Sequence, residues 1–89
     1  MIKLKNNEIE YKIDYEIFTT IEIVKIMEFY SALTQAHNRA NYPRTLVAKY
    51  REYQSIINNK ALEKKYDKMF ESQTGFSIYR FMQEVIKRA

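Results

Sequence analysis

Cysteine is absent from this 89-residue chain. No disulfide and no thiolate metal site can therefore form, which suits a reducing compartment. Glycine and proline occur once each, as Gly75 and Pro43. So little of either leaves no Gly- or Pro-rich linker and favours capped helices over a turn-rich sheet. No apolar run approaches the ~18 residues that a membrane span needs. Residues 1–7 lack the apolar centre of a secretory signal. The expectation is a cytoplasmic protein with no membrane partner. There is one histidine, His37, and no Glu-x-x-His pair, Gly-rich phosphate loop or spaced carboxylate set. Serines and threonines fall mostly at helix caps, which accounts for them without nucleophilic roles. The chain is accordingly expected not to be an enzyme, with no catalytic residue, no metal and no cofactor.

What is abundant is aromatic: eight Tyr and five Phe. A chain of this length forms one domain, residues 1–89, and buries only roughly 60–65% of its extended surface. Large rings supply the core mass that such a small domain needs, with tyrosine hydroxyls reaching its boundary. Charge is uneven along the chain. Residues 1–38 hold four Lys against six acidic residues, whereas residues 39–89 hold eleven Lys/Arg against five. A basic half suits nucleic acid or an acidic partner, and it equally suits ordinary solvated helix faces.

Residues 1–18 read as an extended arm, and 19–89 as a helical bundle. Ile9, Tyr11, Ile13, Tyr15 and Ile17 alternate with charged residues, the period of a strand with one buried face. A two-residue turn at Asn6-Asn7 would set Lys5 opposite Glu8, Leu4 opposite Ile9 and Lys3 opposite Glu10. The alternative is an extended arm with a frayed tip, and the arm's backbone pairs either with itself or with a second chain. Thr19 and Glu22 form a capping box, flanked by Phe18 and Ile23. The first helix covers about residues 20–37, with Ile23, Ile26, Met27, Tyr30 and Leu33 inward, and His37 suits its C-terminal dipole. Pro43 fits the first turn of a second helix carrying Leu46, Tyr50, Tyr53 and Ile57 inward. Asn58-Asn59 ends it. A third helix runs over about residues 60–73 with Leu62, Tyr66, Met69 and Phe70 inward. A fourth spans about 78–87 with Phe81, Met82, Val85 and Ile86 inward. The links are short, so successive helices are expected to be neighbours.

Gly75 marks the joint between the last two helices. It suits the left-handed position past a helix end, Phe76 folds back on Phe70, and Ser77 caps the next helix with Phe76 against Phe81. Lys60 is less expected, because a cation in the first turn opposes the helix dipole. With Lys64 one turn on and free backbone N–H groups nearby, it forms a candidate anion site, partly offset by Glu63. Outward snorkelling of Lys60 over Glu63 explains the same pattern.

Three stretches together resemble a known family: Phe18-Thr19-Thr20-x-Glu22-Ile23, Asn59-Lys60-Ala61-x-Glu63-Lys64 and Thr74-Gly75-Phe76-Ser77-x-Tyr79-Arg80. In order and spacing they are similar to uncharacterised protein family 0223 of Gram-positive bacteria. There the patterns read approximately Trp-Ser/Thr-x-Glu-Glu-Ile, Ser-Lys-Ala-Glu-Glu-Lys and Ser-Gly-Tyr-Ser-x-Tyr-Arg. Lys12-Ile13-Asp14 resembles that family's Pro-Leu/Ile-Asp, and Tyr50-Arg51-x-Tyr53 its Tyr-Arg-x-Phe. The likeness covers about residues 11–88, with residues 1–10 as an extension. Phe18 stands in place of Trp, Lys12 of Pro, and Leu62 of the Glu that would complete a capping box from Asn59. The resemblance implies an all-α fold and cytoplasmic residence, and it implies no activity. It recommends Lys60, Glu63, Lys64, Tyr79 and Arg80 as binding positions. Lys60/Lys64 and Tyr79/Arg80 are expected to form two separate patches, because the starts of adjacent antiparallel helices lie at opposite ends.

Three functions compete at this stage. The first is a non-catalytic protein-interaction module, binding a partner or itself. The second is a nucleic-acid-binding accessory protein using the basic half, with Tyr79 or Phe76 stacking on bases. The third is a small-anion sensor at the Lys60 helix start.

Overall fold

The computed structural model describes the backbone of residues 2–6 and 9–88 and the side chains of residues 11–88. Two strands, β1 (Ile2–Asn6) and β2 (Ile9–Ile13), precede four helices: α1 (Thr20–Asn38), α2 (Arg44–Ile56), α3 (Lys60–Thr74) and α4 (Ile78–Arg88). This is the expected four-helix all-α architecture, with the arm folded as an antiparallel pair.

The register differs from expectation. Asn6 pairs with Ile9, Lys5 with Glu10, Leu4 with Tyr11, Lys3 with Lys12 and Ile2 with Ile13. Every pairing is displaced by two residues, so Asn6 belongs to the strand and not to a two-residue turn. Asn7 and Glu8 lie outside the described residues. Because strand side chains alternate with period two, a shift of two leaves the buried set unchanged. Tyr11 and Ile13 are fully buried and Lys12 is exposed between them.

The alternation does not continue. Tyr15 and Ile17 are half exposed, because the chain leaves the strand after Ile13 and turns, with Ile17 N–H donating to the Asp14 carbonyl. Asp14 pins that corner: its carboxylate accepts from Tyr66 Oη at 2.6 Å and Lys65 Nζ at 2.9 Å. Its backbone N–H donates to the same Tyr66 hydroxyl. The Tyr66 hydrogen bond, then Lys65, hold the Asp14 carboxyl below its usual range.

The helix caps follow the sequence signals. Thr19 Oγ1 accepts from Glu22 N–H while the Glu22 carboxylate accepts from Thr19 N–H. Pro43 stands one residue before α2 at its N-cap, still extended, with no side-chain hydrogen bond. Asn59 Oδ1 accepts from Ala61 and Leu62 N–H. Gly75 closes α3 at φ 88°, in the left-handed region.

The core is a chain of rings. Tyr11 lies 4.8 Å from Tyr30 and 5.7 Å from Phe70, so β2 is wedged between α1 and α3. Phe29 meets Tyr53 at 4.7 Å and joins α1 to α2. At the joint, Phe76 stands edge-on to Phe70 at 5.2 Å and 5.5 Å from Phe81, and lies flat on His37 at 3.9 Å. One ring thus ties α3 and α4 to the end of α1, although Phe76 itself is only partly buried.

Three expectations about packing are corrected. Ile86 is 46% exposed and Phe81 only partly buried, while Met82 and Val85 face inward as expected and Ile78 joins them. Phe29 joins the inward face of α1. Finally, α2 packs on α1 and α4, while α3 packs on α4 and β2, so α2 and its successor α3 are not the closest neighbours. The arm occupies α3, and the start of α4 stands between the two helices.

Candidate functional site

A cleft of about 320 Å³ opens where α2, α3 and α4 meet, lined by Tyr50, Tyr53, Lys60, Glu63, Lys64, Asp67, Ile78 and Tyr79. Each helix contributes what its periodicity allows. Tyr50 and Tyr53 are three apart on α2, one turn along the same face, and both are buried. Lys60, Glu63, Lys64 and Asp67 recur at three- and four-residue steps, one stripe of α3. Ile78 and Tyr79 form the first turn of α4.

Asp67 explains how α4 arrives there. Its carboxylate accepts from Ile78 N–H at 2.8 Å and from Ser77 Oγ at 3.1 Å. A carboxylate at a helix start satisfies an orphan N–H and favours the dipole. Ser77 Oγ also accepts from Arg80 N–H, at a longer 3.4 Å. The chain turns at Gly75 and comes back along α3, so α4 begins beside the middle of that helix.

This placement corrects the two-patch expectation. Lys60, Glu63, Lys64 and Tyr79 line one cleft, and Arg80 is not among its lining residues. The opposite-ends argument fails because α4 is anchored two turns inside α3, at Asp67. A second correction concerns the anion site. The N–H groups of Ala61 and Leu62 are already taken by the Asn59 side chain and that of Glu63 by the Asn59 carbonyl. Among these groups, side chains alone are left to contact an anion. Phe76, packed among His37, Phe70 and Phe81, is also unsuited to stacking on a base.

The floor is aromatic and largely satisfied. Tyr53 Oη is 2.9 Å from Tyr30 Oη in a buried pair, and burial pushes both phenols well up. Tyr50 differs. It is 5% exposed, and its hydroxyl has no hydrogen-bond partner among the described residues. Burial first, then the charges of Glu63 and Asp67 and the neighbouring Tyr79, raise its pKa. Tyr50 and those three neighbours line the same cleft, and the raised pKa keeps its hydroxyl a neutral donor. Tyr79 stands at the mouth, 59% exposed. Neither Lys60 nor Lys64 forms an ion pair among the described residues.

Sequence reasoning missed Tyr50 and Tyr53 as site residues, since inward tyrosines read only as core. It also missed Asp67, whose partner lies eleven residues on with no periodic signature. Among the described residues no three His, Asp or Glu side chains gather as a metal site. No helix among the described residues is long and apolar enough to cross a membrane.

The chain is similar to UPF0223 proteins of several bacteria. It is 35% identical over 77 residues to one from Bacillus cytotoxicus, covering 86% of this chain and 85% of that protein. Another, from Lactiplantibacillus plantarum, is 32% identical over 77 residues, covering 86% and 78%. No solved structure matches the chain. The family model, described as uncharacterised protein family UPF0223, matches residues 8–89, so it includes β2 and reaches further toward the N-terminus than the resemblance suggested. The chain belongs to the uncharacterised protein family UPF0223.

Proposed function

We propose that this protein is a non-catalytic protein-interaction module whose working surface is the α2–α3–α4 cleft. One observation carries the reading: a preformed cleft with a tyrosine floor and two lysines uncommitted to ion pairs at its edge. Its volume of about 320 Å³ is at the low end of small-ligand sites, about 300–1,000 Å³. That size suits one or two side chains of a partner. Aromatic side chains are enriched where proteins dock, and uncommitted lysines select for acidic partners.

The test is a photo-crosslinking residue placed at Tyr79 in living cells, with a second placed at exposed Gln35 on α1 as control. A discrete polypeptide adduct from position 79 and none from 35 supports the module. Adducts to nucleic acid from position 79, or identical adducts from both positions, would overturn it.

A further inference from the structure

Resting on that reading, we infer that the cleft recognises an acidic–apolar anchor of a polypeptide. An apolar side chain sits against Tyr50, Tyr53 and Ile78, and an adjacent carboxylate is held by Lys60, Lys64 and the Tyr50 hydroxyl. Two features choose this occupant. The first is the balance of donors and acceptors. Lys60, Lys64 and Tyr50 donate, while Glu63 is an acceptor without a hydrogen-bond or ion-pair partner among the described residues. A peptide offers both kinds of group, carboxylate oxygens and backbone N–H, so Glu63 accepts from the anchor's main chain. The phosphates of a nucleic-acid strand only accept, so they offer Glu63 nothing. The second feature is net charge. Two ammoniums and two carboxylates alternate along the α3 side of the lining, so the cleft is a patterned surface, not the uniformly positive groove that tracks a nucleic-acid backbone.

The Tyr50 hydroxyl has no hydrogen-bond partner among the described residues and is not sealed from solvent, so it can donate to an incoming carboxylate in place of water.

The probe is a blocked tripeptide, acetyl-Asp-Leu-Glu-amide, titrated into the 15N-labelled protein. Its comparators are the neutral acetyl-Asn-Leu-Gln-amide and uridine monophosphate. The acidic peptide is expected to move the amide signals of residues 60–64 and 78–79 saturably, and to bind at least tenfold tighter than the neutral one. Lys60→Ala with Lys64→Ala should weaken it about tenfold or more, and Tyr50→Phe several-fold. Both variants should keep native dispersed spectra, since the lysines are exposed and the Phe ring fills the same space. Glu63→Ala should weaken the peptide while improving the nucleotide. Equal binding of the neutral peptide, tighter binding of the nucleotide, or shifts confined to other helices would overturn the proposal. A polypeptide adduct from position 79 alongside a silent acidic peptide sinks the anchor alone, whereas nucleic-acid adducts there sink the module.

Discussion

Gly75 and Tyr11 show how far single residues can be read. At Gly75 an added Cβ meets no atom within 4 Å, so the cost of Gly75→Ala comes only from holding a Cβ at φ 88°. Chemical denaturation should show a loss of about 1 kcal/mol. A loss of several kcal/mol would mean a steric clash that the geometry excludes. Phe76 was legible as a clamp between α3 and α4, but its stack on His37 was not, since the contact spans 39 positions in sequence. With the ring partly buried, Phe76→Ala should fall at the low end for such truncations, about 3 kcal/mol. Tyr11 carries the opposite lesson. Its alternation announced a buried face, whereas nothing in the sequence revealed that its hydroxyl has no hydrogen-bond partner among the described residues. Burial lifts that phenol to about 12. An unpaired buried hydroxyl costs about 1–3 kcal/mol, so Tyr11→Phe should leave stability unchanged or raised. A marked drop in melting temperature would show that the hydroxyl is bonded after all.

At the scale of elements, caps and periodicity located all four helices, because both signals are local. Thr19, Asn59 and Gly75 sit within one turn of the backbone groups they satisfy. What escaped was how elements meet. The arm's register turned on a two-residue offset that preserves the hydrophobic pattern, so pattern alone could not choose it. Its anchor, Asp14 on Tyr66 and Lys65, joins residues about 50 apart. That anchor makes a pH prediction. The folded-state pKa of Asp14 is lowered, so its stabilisation is present above the unfolded value and fades as pH falls through the folded one. The wild type should therefore lose this increment below about pH 4, the ordinary aspartate value. Asp14→Asn should remove about 1 kcal/mol near neutral pH, and much less once the wild-type carboxyl is protonated. A difference between the two that stays constant from pH 7 to pH 2 would contradict the anchor. Deleting residues 1–16 goes further by stripping Tyr11 and Ile13 from the core. At about 1.5–3 kcal/mol for each large apolar side chain, that loss threatens a small domain. An unchanged melting temperature on deletion would show that the arm does not seal the bundle.

For the whole molecule, the sequence suggested where charge lies but not how helices bring it together. The basic second half is divided among three helices, and only Lys60 and Lys64 reach the cleft, where Glu63 and Asp67 balance them. Their assembly with Tyr50 and Tyr79 depends on Asp67 drawing the start of α4 against the middle of α3. That tertiary hydrogen bond follows from no local rule. Stability and recognition should consequently separate in one variant. Lys60 opposes the α3 dipole and both lysines are exposed, so replacing them with Ala removes no packed contact and relieves an unfavourable charge. Melting should be unchanged or rise slightly, by a few tenths of a kcal/mol, while the acidic peptide is released. Asp67→Ala should do the reverse first. It leaves the Ile78 N–H without its acceptor and loosens the start of α4, costing about 1–2 kcal/mol as lost helix caps do. Cleft binding then weakens because Ile78 and Tyr79 are no longer held over Tyr50. If the lysine variant unfolds and the Asp67 variant does not, the lysines are structural and the cleft is not organised from Asp67.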